Sequence, residues 1–92
     1  MKNVELKKYG TVLTGRPFGV QTFAEINQTT HGSAVRLDFS GVLSLGSSFG
    51  EEVIVPLAKN QGNKITVVST IPPVKDCLVL IAADFDLKIE FM

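Results

Sequence analysis

Along the chain, short runs with an apolar residue at every second position take turns with longer runs in which apolar residues recur every third or fourth. That succession predicts alternating strands and helices. Val4 and Leu6 alternate with Asn3, Glu5 and Lys7, which predicts an N-terminal strand, paired through a Tyr9-Gly10 turn with Thr11-Val12-Leu13 as a hairpin. Thr14-Gly15-Arg16-Pro17 predicts a helix start with Pro17 in the first turn. Its buried face is read as Phe18, Phe23 and Ile26, ending at Asn27, before a polar loop that runs through Ser33.

The central stretch is the most informative. Val35, Leu37 and Phe39 alternate with Arg36 and Asp38, as in a strand with one buried face, and Ser40-Gly41 supplies a turn. Ser48 and Glu51 have the S-x-x-E spacing of a capping box, so a helix is expected to open there, with Phe49, Val53 and Leu57 on its apolar side. Pro56 falls where an interior N–H would donate, and a kink or early break is expected at that point. Asn60-Gln-Gly-Asn63 is a turn and Lys64–Ser69 a strand. Pro72-Pro73 starts a last helix that runs to about Asp84, and Leu87, Ile89 and Phe91 alternate with Lys88 and Glu90 in a closing strand.

Helices between successive strands imply an α/β domain with a mixed, mostly parallel sheet. The first, central and last strands alternate apolar with charged residues, whereas a sheet covered on both sides would be apolar almost throughout. Helices mainly on one face are therefore expected. Length adds a bound: 92 residues make a single domain over 1–92, with one core and no second domain to form a cleft.

Charge and chemistry narrow the function. Nine Lys+Arg balance nine Asp+Glu and there is no Trp, so the basic excess and aromatic interleaving of a nucleic-acid binder are lacking. The apolar run Cys77–Ala83 is far short of the roughly 20 residues of a membrane span, and Met1-Lys-Asn-Val-Glu lacks the apolar region of a signal peptide. A soluble cytoplasmic protein is expected. Cys77 lies with Val74, Leu78 and Ile81 on an apolar stripe and is read as a core thiol, while His31 sits in the polar loop. No triad, metal-ligand spacing or Walker-type loop is present, so neither an enzyme nor a metal or cofactor is expected. The six phenylalanines read as core.

Asp38-Phe-Ser-Gly-Val42, followed by Gly46-Ser-Ser-Phe-Gly-Glu-Glu52, resembles the STAS-like domain family, relatives of the sulphate-transporter and anti-sigma-factor-antagonist domain. The resemblance implies a STAS-like fold and a partner protein, a histidine-kinase-like ATPase or an anti-sigma-type kinase, with self-association left open. It places Ser47 at the antagonists' phosphoacceptor position, with Ser48 beside it as a second candidate. Gly46 stands where the antagonists carry Asp, and Phe49 where they carry Gly. It also puts Asp38 near the serine turn, where it would set the local electrostatics. Gly46, Asp38, Arg16 and Phe49 are thus candidate partner- or anion-binding residues. A regulatory interaction module is the first reading. The second is a small-molecule or nucleotide-phosphate binder that uses the same helix N-terminus, with Arg16 as counter-charge.

Overall fold

The computed structural model describes residues Met1–Met92. Six strands and three helices follow one another as β1 (Lys2–Glu5), β2 (Val12–Leu13), α1 (Arg16–Thr30), β3 (Val35–Asp38), β4 (Ser44–Leu45), α2 (Ser47–Lys59), β5 (Lys64–Val68), α3 (Pro72–Phe85) and β6 (Lys88–Phe91). The main sheet has the order β1-β3-β5-β6, and each neighbouring pair is parallel. A second sheet holds only β2 and β4, also parallel.

This order explains the layering. Each crossover, through α1, α2 and α3 in turn, steps to the next strand in the same direction. Parallel crossovers are right-handed almost without exception, so three steps one way place all three helices on one face. The strands agree. Val35, Leu37, Ile65 and Val67 are buried under the helices, while Arg36 is exposed and Thr66 half-buried on the other side. On that open face the register aligns Asn3, Arg36, Thr66 and Glu90 in a row across the sheet. Arg36 Nε donates to Asn3 Oδ1 at 3.2 Å, and Lys64 Nζ lies 2.9 Å from Glu90 Oε1. This α/β domain with helices on one face is the architecture expected from the strand patterns, and it is consistent with a STAS-like fold.

Four local expectations are corrected. There is no N-terminal hairpin: β1 pairs with β3 and β2 with β4. A single 3-10 turn at Leu6–Lys8 carries the chain from one sheet to the other, and Leu6 points from that turn into the core with no exposure. The first helix outlasts Asn27 by three residues, because the Thr29 and Thr30 hydroxyls donate back to the Ile26 carbonyl, at 3.1 and 2.7 Å, and hold a last polar turn. Its buried stripe is Gly19, Thr22, Ile26 and Thr30, while Phe18 and Phe23 are only half-buried against the core. The second helix runs through Pro56 to Lys59 without a break. Pro56 lies in its last turns, where losing one backbone donor is tolerated, and Asn60 N still bonds the Pro56 carbonyl at 3.1 Å.

Gly19 permits the close packing of α1 on α2. A Cβ at that position would lie 2.9 Å from the Phe49 carbonyl oxygen and 3.1 Å from Phe49 Cα, backbone atoms that cannot swing aside. Gly19→Ala should therefore lose stability although alanine is the better helix former by about 1 kcal/mol. Overpacking of this kind costs about 1–3 kcal/mol, and urea unfolding should show a net loss. Unchanged or higher stability would mean that the two helices do not approach this closely.

Candidate functional site

Strands of two residues do not hold themselves together; β2 and β4 persist because Leu13 and Leu45 enter the core beside each other. The ladder is closed by Leu43 N and Ser44 N donating to the Thr11 carbonyl, at 2.8 and 3.2 Å, and by Gly46 N donating to the Leu13 carbonyl at 2.8 Å. Parallel strands leave the ladder at the same end. Two helices therefore begin side by side, α1 behind Gly15 and α2 behind Gly46. The approach is close enough that a Cβ on Gly46 would meet Thr14 Cγ2 at 3.1 Å.

The two starts differ in what they present. A helix leaves its first N–H groups without intrahelical partners. In α3, Pro72 and Pro73 remove two of these, and in α1 Pro17 removes one. None of the three helices has a side-chain cap; α2 differs in keeping all three first-turn amides, those of Ser47, Ser48 and Phe49.

The expected capping box is thus absent. Gly46, whose own amide is held by Leu13, takes the N-cap position, so Ser48 lies inside the first turn rather than ahead of it. Glu51 does not reach back; together with Glu52 it binds Arg16 at the start of α1. Arg16 Nη2 is 3.3 Å from Glu51 Oε1, and Nη1 hydrogen-bonds Glu52 Oε2. These two carboxylates raise the guanidinium pKa above its ordinary value. They also offset a cation at a helix N-terminus, where it opposes the dipole.

The candidate residues divide accordingly. Ser47 is exposed and Ser48 half-buried at the open amides. Arg16 is tied to α2 by Glu51 and Glu52 and is not a free counter-charge. Phe49 is 1% exposed and packs at a tilt against Phe18, with ring centroids 5.2 Å apart, so it anchors the helix from below. Asp38 serves the turn after β3, its Oδ1 accepting the Ser40 N–H at 2.8 Å.

Sequence reasoning missed the Arg16 pairing and the two large apolar side chains on the ladder, Val12 at 56% and Leu43 at 62% exposure. For Val12 the signal was there in Val12-Leu13: adjacent apolar residues in a strand point to opposite faces, so Val12 faces outward where Leu13 faces in. Leu43 lies just outside β4, after the turn in which Val42 N donates to the Phe39 carbonyl, and strand alternation does not predict its exposure.

Elsewhere little chemistry is assembled. Cys77 is half-buried rather than fully enclosed, and burial, with a smaller effect from the Glu51 charge, pushes its thiol pKa up. His31 is the left-handed C-cap of α1. No group of three or more His, Cys, Asp or Glu side chains could hold a metal ion, and no helix is long and apolar enough to cross a membrane. A cavity of about 210 Å³ lies at the opposite, N-terminal end of the strands, beside Met1, Gln61 and the Lys64–Glu90 pair. Gln61 is occupied there by the Val35 N–H and the Lys64 carbonyl, both at 2.8 Å.

The chain matches, over residues 21–75, the family described as a STAS-like domain of unknown function (DUF4325), and it belongs to that family. The matched segment includes Asp38 and the start of α2 but not Arg16 or β6. Neither the comparison with curated proteins nor that with solved structures gives a match.

The raised Cys77 pKa has a direct consequence for reactivity, since the thiolate is the nucleophile. At neutral pH the folded protein should react with iodoacetamide more slowly than the same chain in denaturant, and the gap should narrow as pH rises through the alkaline range. Equal rates at neutral pH would mean that the thiol is neither buried nor perturbed.

Proposed function

We propose that this chain is a non-enzymatic interaction module that binds a partner protein through the start of α2 and is switched by phosphate on Ser47. The observation that carries the reading is the uncapped first turn of α2, with Ser47 exposed at its tip in a domain of the STAS-like family. The partner class is a kinase-like ATPase or anti-sigma-type kinase, which would transfer the γ-phosphoryl group of ATP to Ser47 Oγ and release ADP. Val12 and Leu43 supply apolar contact surface on the ladder that leads into this turn.

The switch has a physical route. Phosphate adds about 1.5–2 negative charges at pH 7, which free helix amides tolerate and an apolar or acidic partner surface does not. Glu51 lies one turn beyond Ser47 on the same side of α2. A phosphate on Ser47 would therefore compete with Glu51 for Arg16, the cation that already spans the two helix starts. A free phosphate or nucleotide, the alternative reading, would have to displace both carboxylates from Arg16 without the covalent tether that holds a Ser47 phosphate beside it.

Ser47→Asp should weaken binding to the partner captured from native cells. It should leave folding intact, since an acidic residue in the first turn adds about 0.3–1 kcal/mol through the helix dipole. Ser47→Ala should bind as the parent does and carry no phosphate. Mass spectrometry of protein from native cells should find Ser47 modified. Unmodified serines, with partner affinity unchanged by both substitutions, would remove the switch.

A further inference from the structure

The main sheet ends at β6, which pairs only with β5 and has no strand on its other side. Lys88 N and Met92 N donate inward to the Asn63 and Val67 carbonyls, at 2.8 and 2.9 Å. Backbone groups alternate sides along a strand, so the N–H and C=O of Ile89 and Phe91 point outward. An unpaired edge of this kind is a template for another strand unless something blunts it. No proline or bulge interrupts Lys88–Phe91; the strand is short, and its blunting rests on Lys88 and Glu90, charges that exclude some partner strands and admit others.

We infer that the β6 edge pairs antiparallel with β6 of a second copy of this chain, closing a symmetric dimer with a continuous sheet. The register follows from the charges. With Ile89 opposite Ile89, each Ile89 N–H meets the other copy's Ile89 carbonyl, and each Phe91 N–H meets the Leu87 carbonyl. Lys88 then lies opposite Glu90 in both halves of the interface. Sliding the copies by two residues either way, the smallest slip that keeps the side-chain faces matched, sets Glu90 against Glu90 or Lys88 against Lys88. One register is attractive and its neighbours are repulsive.

Three further observations agree. Within one chain Lys88 lies directly opposite Lys64, a like-charge pair, and Lys64 is the lysine that binds Glu90 at 2.9 Å. Glu90 of the second copy would answer the Lys88 charge. Ile89 and Phe91 are half-buried on the helix-covered side, so pairing would cover them further. Lys75 Nζ stands 5.1 Å from the Phe91 ring centroid, which places that flank of α3 above β6. Val79, one turn along the same flank, is 48% exposed. A two-fold axis perpendicular to the sheet keeps both helical layers on one side and turns the two Val79 flanks toward each other. The opposite edge, β1, offers no such register: with Lys2 N bonded inward to Ala34, its outward residues are Asn3 and Glu5, and Lys2 falls opposite Val4 or Leu6.

Sedimentation equilibrium tests the pairing. The parent chain, 9.9 kDa as a monomer, should sediment at twice that mass at micromolar concentration. Lys88→Glu and Glu90→Lys should each be monomeric, because each sets like charges across the interface. Their equimolar mixture should recover the dimer, since one chain of each kind restores opposite charges in both halves. Ile89→Pro should be monomeric with an unchanged circular dichroism spectrum, because the lost N–H points away from β5. A parent chain monomeric at about 100 μM, a dimer that survives the charge reversals and Ile89→Pro, or folded single variants whose mixture stays monomeric would each overturn the inference.

Discussion

Two residues of parallel ladder, Val12-Leu13 against Ser44-Leu45, set the geometry on which the candidate site depends. They hold because Leu13 and Leu45 are buried together, and because Leu43, Ser44 and Gly46 donate across to Thr11 and Leu13. The ladder fixes where the chain enters α1 and α2, bringing the helix starts close enough for Arg16 to reach Glu51 and Glu52. Gly19 and Gly46 are the two places where that approach leaves no room for a side chain without something shifting. Two positive helix ends side by side, with an arginine added, would repel one another; the two glutamates in the second turn of α2 make the arrangement tolerable.

The larger sheet follows a simpler rule. Three crossovers of one hand, stepping in one direction, leave one face of the sheet without helices. That face carries Asn3, Arg36, Thr66 and Glu90 in register, paired as Asn3–Arg36 and Lys64–Glu90, a surface that water can cover. The Lys64 contact holds the Glu90 carboxyl below its ordinary pKa, with Lys88 adding a smaller effect in the same direction. The edges of such a sheet are its unfinished part, and the charge order along β6 gives that edge a partner in a second copy of itself.

Much of this was legible in the sequence. Val35, Leu37 and Phe39 against Arg36 and Asp38 announced a one-sided strand, and the two prolines at 72 and 73 announced the last helix. The family resemblance, read from Asp38 to Glu52, agrees with the family match over 21–75. What local pattern could not show was pairing at a distance. Val4 and Leu13 look like the arms of a hairpin when only neighbours are considered, yet each finds a parallel partner more than thirty residues away. The same limit hid the site. Glu51 has the spacing of a capping residue, and only tertiary structure shows it committed to Arg16. Thr29 and Thr30 look like loop until their hydroxyls are seen on the Ile26 carbonyl.

Together these features leave the start of α2, with Ser47 at its tip and its first three amides open, at the end of a two-residue ladder anchored by Leu13 and Leu45. Amide hydrogen exchange followed by NMR tests that claim most directly, because it reads each donor separately. The Leu43 and Gly46 amides, bonded across the ladder, should be protected, while Ser47 and Ser48 exchange close to the rates of an unstructured chain. Protected Ser47 and Ser48 amides would mean that the turn is capped after all, and unprotected Leu43 and Gly46 would mean that the ladder does not form; either result contradicts the account.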